Sequence, residues 1–122
     1  MDNDLTKGSS ILVVDDNPAN LGVLYQFLSR AGYRVLASQD GESGLEMAQN
    51  ERPDLILMDV MLPGEDGFEV CRRLQEKERT AGIPVIFVTA LTQVEDKLTG
   101  FDAGGVDYIT KPFQREQVLA RI

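Results

Sequence analysis

Residues 55–63 read Leu55-Ile56-Leu57-Met58-Asp59-Val60-Met61-Leu62-Pro63, eight apolar side chains around one carboxylate. A short apolar run closed by turn residues is the pattern of a strand buried on both faces. An ionised carboxylate left unpaired in such a setting is costly, and the group would sooner neutralise than stay charged. Asp59 therefore either stands at the edge of the run, where something compensates it, or is placed there to react.

Similar runs recur along the chain. Ile11-Leu12-Val13-Val14 is followed by Asp15-Asp16, Val85-Ile86-Phe87-Val88 by Thr89, and Tyr108-Ile109-Thr110 by Lys111, while a weaker run lies at Tyr33-Arg34-Val35-Leu36-Ala37. Helical patterns alternate with them. Residues 18–31 follow the capping pair Asp16-Asn17, carry Pro18 at the first helical position, place Leu21, Leu24, Tyr25 and Leu28 at helical spacing, and end at Gly32. Residues 42–50 (Leu45, Met47, Ala48), 67–77 (Phe68, Val70, Cys71, Leu74) and 94–102 (Val94, Leu98, Phe101) form three more helices, and residues 115–122 begin a last one. Alternation of this kind predicts an α/β fold with right-handed crossovers and helices on both faces of a parallel sheet. At this length the expectation is a flavodoxin-like (βα)5 three-layer sandwich with a five-stranded sheet of order 2-1-3-4-5. Residues 1–9 read as a flexible polar tail and residues 10–122 as one domain. The pattern stops at Ile122 without a helix-ending signal, which suggests a piece cut from a longer multidomain protein.

Composition narrows the function. The 122 residues are 43% hydrophobic and 26% charged, enough for a packed core in an ordinary soluble chain. No apolar run approaches the roughly 18 residues of a membrane span, and the start MDNDLTKGSS is no signal peptide. The single Cys71 agrees with a cytoplasmic protein, and Cys71 and Met47 read as core. A net charge of −8 argues against nucleic-acid binding by this segment. There is no histidine, so His-based triads, His-ligated zinc and His acid–base chemistry are excluded. Any metal bound here needs oxygen ligands.

In a doubly wound sheet, ligands bind beyond the carboxyl ends of the strands, where strand order reverses. The first polar residues past the apolar runs are Asp15, Asp16, Asp59, Thr89 and Lys111, so separate strands deliver them to one rim. Three carboxylates within a few ångströms repel one another. A hard cation relieves this. Magnesium suits best, because it takes one or two carboxylates, keeps waters and accepts phosphate oxygens, and manganese can substitute. With a Lys111 ammonium and a Thr89 hydroxyl beside it, such a site fits phosphoryl transfer onto a carboxylate nucleophile. Each residue also has a plainer reading. Asp15-Asp16 serves as a turn and cap pair, Thr89 as a strand end, Lys111-Pro112 as a loop, and Asp59 as the cap of the turn signalled by Pro63-Gly64 and Asp66-Gly67. Together these readings need four coincidences at one topological position.

The stretches Val13-Val14-Asp15-Asp16-Asn17, Leu57-Met58-Asp59-Val60-Met61-Leu62-Pro63-Gly64, Val88-Thr89-Ala90 and Asp107-Tyr108-Ile109-Thr110-Lys111-Pro112-Phe113 resemble the receiver domain of two-component response regulators. The resemblance runs from about residue 10 to the end. It implies that Asp59 is the phospho-acceptor. It also implies that Asp15 and Asp16 belong to the magnesium site, Asp16 directly and Asp15 largely through water, with the Met61 backbone carbonyl completing the shell. Thr89 matches the hydroxyl that moves to the phosphoryl group, Lys111 the lysine that pairs with it, and Tyr108 the aromatic switch. The Lys111-Pro112 bond is expected cis. Phosphorylation would then alter the face made by the fourth helix, fifth strand and fifth helix. Met61 and Leu91 match positions that flank the phosphoryl group. Both are bulky and apolar here, and the expectation is slow hydrolysis.

With no histidine of its own, the chain needs a histidine kinase or a histidine phosphotransfer domain as donor, and an output domain is expected beyond residue 122. A homodimer through the switching face is compatible with the sequence. The reading is of a signalling switch that catalyses only its own phosphorylation and dephosphorylation. The alternative is a non-phosphorylated pseudo-receiver, an interaction module, although none of the key residues is missing. A haloacid dehalogenase-type phosphatase wants a second Asp where Met61 stands, and an EF-hand starting at Asp59 lacks oxygen ligands at Met61, Pro63 and Val70.

Overall fold

A computed structural model describes residues 8–62, 65–89, 107–110 and 118–120; of Glu65, Thr89, Tyr108 and Thr110 the backbone alone is described. The elements run β1 (Ser10–Val14), α1 (Pro18–Arg30), β2 (Arg34–Ser38), α2 (Gly41–Glu51), β3 (Leu55–Asp59), β4 (Met61–Leu62), β5 (Glu65–Asp66), α3 (Gly67–Gln75), β6 (Val85–Thr89) and β7 (Asp107–Thr110). Five strands form one parallel sheet, order β2-β1-β3-β6-β7. In sequence order this is the expected 2-1-3-4-5, with β4 and β5 forming a separate antiparallel ribbon.

The strands are apolar without alternation because both faces of the sheet are covered. Side chains on successive strand residues point to opposite faces. Leu12, Val14, Ile56, Met58 and Phe87 pack with Leu45 and Ala48 of α2 and Val70, Cys71 and Leu74 of α3. Ile11, Val13, Leu55, Leu57, Ile86, Val88 and Ile109 pack on the other side with Leu24 and Leu28 of α1 and with Val118. Phe68 meets Phe87 edge to face at 4.9 Å between ring centroids.

Helix starts follow the caps. Asn17 accepts from the Ala19 N–H, Asp40 from Ser43 and Asp66 from Glu69, at 2.8, 2.7 and 2.8 Å. Three expectations need adjusting. Tyr25 is 54% exposed; α1 is rolled so that Leu24 and Leu28 meet the sheet with Phe27 beside them, and the phenolic hydroxyl of Tyr25 keeps to water. Helix α3 ends two residues early, because the buried Thr80 hydroxyl donates to the Leu74 carbonyl at 2.7 Å and the Thr80 N–H to that of Lys77, turning the chain. Asp59 is the last residue of β3, paired with Val88, rather than the first residue beyond it, and Met61-Leu62 does form a short strand. The helix expected at 94–102, Leu91, the Lys111-Pro112 bond and the Pro63-Gly64 turn lie outside the described residues. Of the expected last helix, residues 118–120 are described and helical.

Candidate functional site at the carboxyl edge of the sheet

The strands β1 and β3 are neighbours with Val14 opposite Met58, so Asp15 and Asp59 leave the sheet at the same level. One ligand oxygen from each of Asp15, Asp16 and Asp59 lies within 4.8 Å of the others. Asp15 and Asp59 are 1% and 4% exposed, whereas Asp16 is open to solvent. The group is thus a cluster with two buried walls and one wet one.

Each buried carboxylate is oriented by local hydrogen bonds. Asp15 receives the Asn17 N–H on Oδ1 at 2.9 Å and the Asn20 side-chain amide on Oδ2 at 3.4 Å. Its own N–H donates to the Ser38 carbonyl at 3.0 Å, which ties it to the end of β2. Asp59 Oδ1 receives the Met61 N–H at 3.0 Å. The plain reading holds in part: Asp15 and Asp59 do accept local hydrogen bonds, while the helix caps are Asn17 and Asp66, and the convergence of three carboxylates is left unexplained by it. Packed like charges at this spacing repel, and a cation held by oxygen relieves that repulsion. The donor set is hard, three carboxylates, and fits a magnesium-like ion rather than a thiophilic metal.

Of the other sequence-predicted residues, Met61 sits on β4, two residues from Asp59, with its side chain 65% exposed at the rim. Thr89 ends β6 next to β3, its backbone opposite Thr110, and Tyr108 lies in β7 opposite Phe87. Lys111, Pro112 and Leu91 lie outside the described residues. Four residues that shape the site were not picked out from the sequence. Ser38 and Asn20 hold Asp15, Gly44 lets α2 approach Val14, and Gly67 abuts Asp59. Ser38 follows a weak apolar run and so was readable as a strand end. The close approaches at Gly44 and Gly67 depend on long-range packing and leave no local signal.

A family model of the response regulator receiver domain matches residues 11–122. The DNA-binding dual master transcriptional regulator RpaA of Synechocystis sp. is 51% identical over 112 residues, covering 92% of this chain and 46% of RpaA. The chain thus spans about half the length of that curated relative. Among solved structures, the receiver domain of sensor histidine kinase PA1611 from Pseudomonas aeruginosa PAO1, with magnesium coordinated in its active-site cleft, superposes with a TM-score of 0.86 at 37% identity, covering 93% of both chains. The chemotaxis protein CheY4 of Vibrio cholerae gives a TM-score of 0.90 at 31% identity, over 93% of this chain and 95% of that one. The chain belongs to the response regulator receiver domain family of two-component signalling. Among the described residues no helix is long and apolar enough to cross a membrane.

Proposed function

We propose that Asp59 accepts a phosphoryl group from a phosphohistidine on a partner kinase or phosphotransfer domain, and that the acyl phosphate switches an output carried beyond residue 122. The observation that carries this is the convergence of Asp15, Asp16 and Asp59 within 4.8 Å at the end of the central strand. The Met61 N–H fixes the Asp59 rotamer through Oδ1, and we assign the attack on phosphorus to Oδ2. A new O–P bond forms as the P–N bond to the donor imidazole breaks, and the released imidazole takes up a proton from solvent. Asp16, the exposed carboxylate, is the direct metal ligand, together with one Asp59 oxygen and the Met61 carbonyl. Asp15, with both oxygens engaged by Asn17 and Asn20, acts largely through water. Magnesium, when bound, offsets charge on the phosphoryl oxygens during transfer. Lys111 pairs with the phosphoryl group, and Thr89 donates to it and vacates space for the Tyr108 ring, which alters the surface formed by the C-terminal third of the domain.

The test uses intact mass. With magnesium and a small-molecule acyl phosphate the wild type gains one phosphoryl group, and Asp59→Asn gains none. No gain in a folded wild type would favour a non-phosphorylated interaction module.

A further inference from the structure

Asp59 is also held from behind. Gly67 opens α3 eight residues downstream, yet its backbone lies directly against the peptide of Asp59. A Cβ built on Gly67 would overlap the Asp59 carbonyl oxygen, and would stand 2.9 Å from the carbonyl carbon and 3.0 Å from Met58 Cγ. Backbone conformation does not call for glycine here, since among the described residues the glycines at positive φ are Gly8 and Gly32. Helix propensity gives glycine no advantage over alanine here. The remaining reason is steric. Gly67 also donates its N–H to the Val60 carbonyl at 2.7 Å. Between these two contacts the chain folds back as the β4–β5 ribbon, Met61 opposite Asp66 and Leu62 opposite Glu65. Gly67 closes a clasp at the end that carries Met61, the residue that orients Asp59. Other glycines differ. Gly22 and Gly82 have nothing within 4 Å of an added Cβ, and Gly44 would meet only the side chains of Val14 and Ser38.

We infer that Gly67 is a positioning residue for the phosphorylation site. The missing Cβ lets the first turn of α3 lock the Asp59 and Met61 peptides in the geometry that sets cation affinity and phosphoryl uptake. The inference rests on the assignment of Asp59 as acceptor. An alanine at 67 presses on main-chain atoms, which no side-chain rotation relieves. The end of β3 is pinned by its pairing with β6, so the ribbon gives way, and Met61 moves with it. Supporting contacts around a metal site typically alter affinity by 10–100-fold when lost.

Titration calorimetry with magnesium alone on the full chain tests this. Gly67→Ala should lose on the order of tenfold or more in affinity. It should also shift the amide resonances of Asp59 and Met61 in metal-free protein. Gly82→Ala should change neither, and Thr80→Val, which weakens the remote end of α3, should lower stability while leaving affinity intact. Wild-type affinity in Gly67→Ala overturns the inference and leaves the acceptor assignment standing. Absence of magnesium binding in the wild type overturns both. Should Gly67→Ala fail to fold, hydrogen exchange in the wild type decides, because coupling is reciprocal. Saturating magnesium should slow exchange of the Gly67 amide, and an unchanged rate overturns the inference.

Discussion

At the scale of single residues, Asp59 answers two demands at once. It completes a buried strand and accepts a local hydrogen bond from Met61, and it is one of three carboxylates at a common point. The three aspartates were legible in the sequence because Asp15 and Asp59 are each the first polar residue after an apolar run and Asp16 directly follows Asp15. Gly67 was not, because its neighbour is a peptide reached only through the ribbon. Met61 is 65% exposed at the rim, and we propose that it bears on the lifetime of the phosphoryl group. Its thioether cannot orient an attacking water, so Met61→Asn should hydrolyse faster by roughly fivefold, the weight of one hydrogen bond of about 1 kcal/mol. Phosphoryl decay followed by intact mass checks this, and a slower or unchanged Met61→Asn would contradict it. Cys71 makes a pH prediction. Burial pushes its thiol up from 9.0 to about 11, against a smaller opposing effect of Arg72. A raised folded pKa gives stability that is complete below pH 9.0 and lost as pH rises toward about 11. The loss amounts to at most about 3 kcal/mol. Urea midpoints of wild type should fall more steeply than those of Cys71→Ala across that interval.

At the scale of elements, helix starts were legible and helix ends less so. Pro18 after Asn17 marks the start of α1, and the structure begins the helix there. The end of α3 was hidden because Thr80, six residues from Leu74, supplies the hydroxyl that stops it. Helix α2 ends on Arg52, which takes the left-handed conformation at φ 47° and donates its N–H to the Ala48 carbonyl at 3.0 Å. That conformation costs a residue with a Cβ about 1–2 kcal/mol, part of which glycine returns as unfolded-chain entropy. Arg52→Gly should therefore raise stability by roughly 0.5–1 kcal/mol in urea unfolding, and a loss of that size would contradict the assignment.

At the scale of the whole molecule, the order of the sheet followed from alternation and handedness, and the continuous apolar runs followed from burial on both faces. The same arrangement gathers carboxylates in a chain of net charge −8, so binding of a divalent cation and folding should be linked. Magnesium at a hundredfold excess over its dissociation constant should stabilise the wild type by about 2.7 kcal/mol. Asp16→Asn should raise metal-free stability by up to about 1 kcal/mol through lost repulsion, and should remove most of the magnesium increment. Thermal unfolding with and without magnesium checks both. Which of the three clustered carboxylates takes the phosphoryl group is answered by chemical trapping. Borohydride reduces an aspartyl phosphate to homoserine, and peptide mapping then locates it. Homoserine at position 59 alone, formed only with magnesium and phosphodonor present, is the predicted result; homoserine at 15 or 16, or at none of the three, would contradict it.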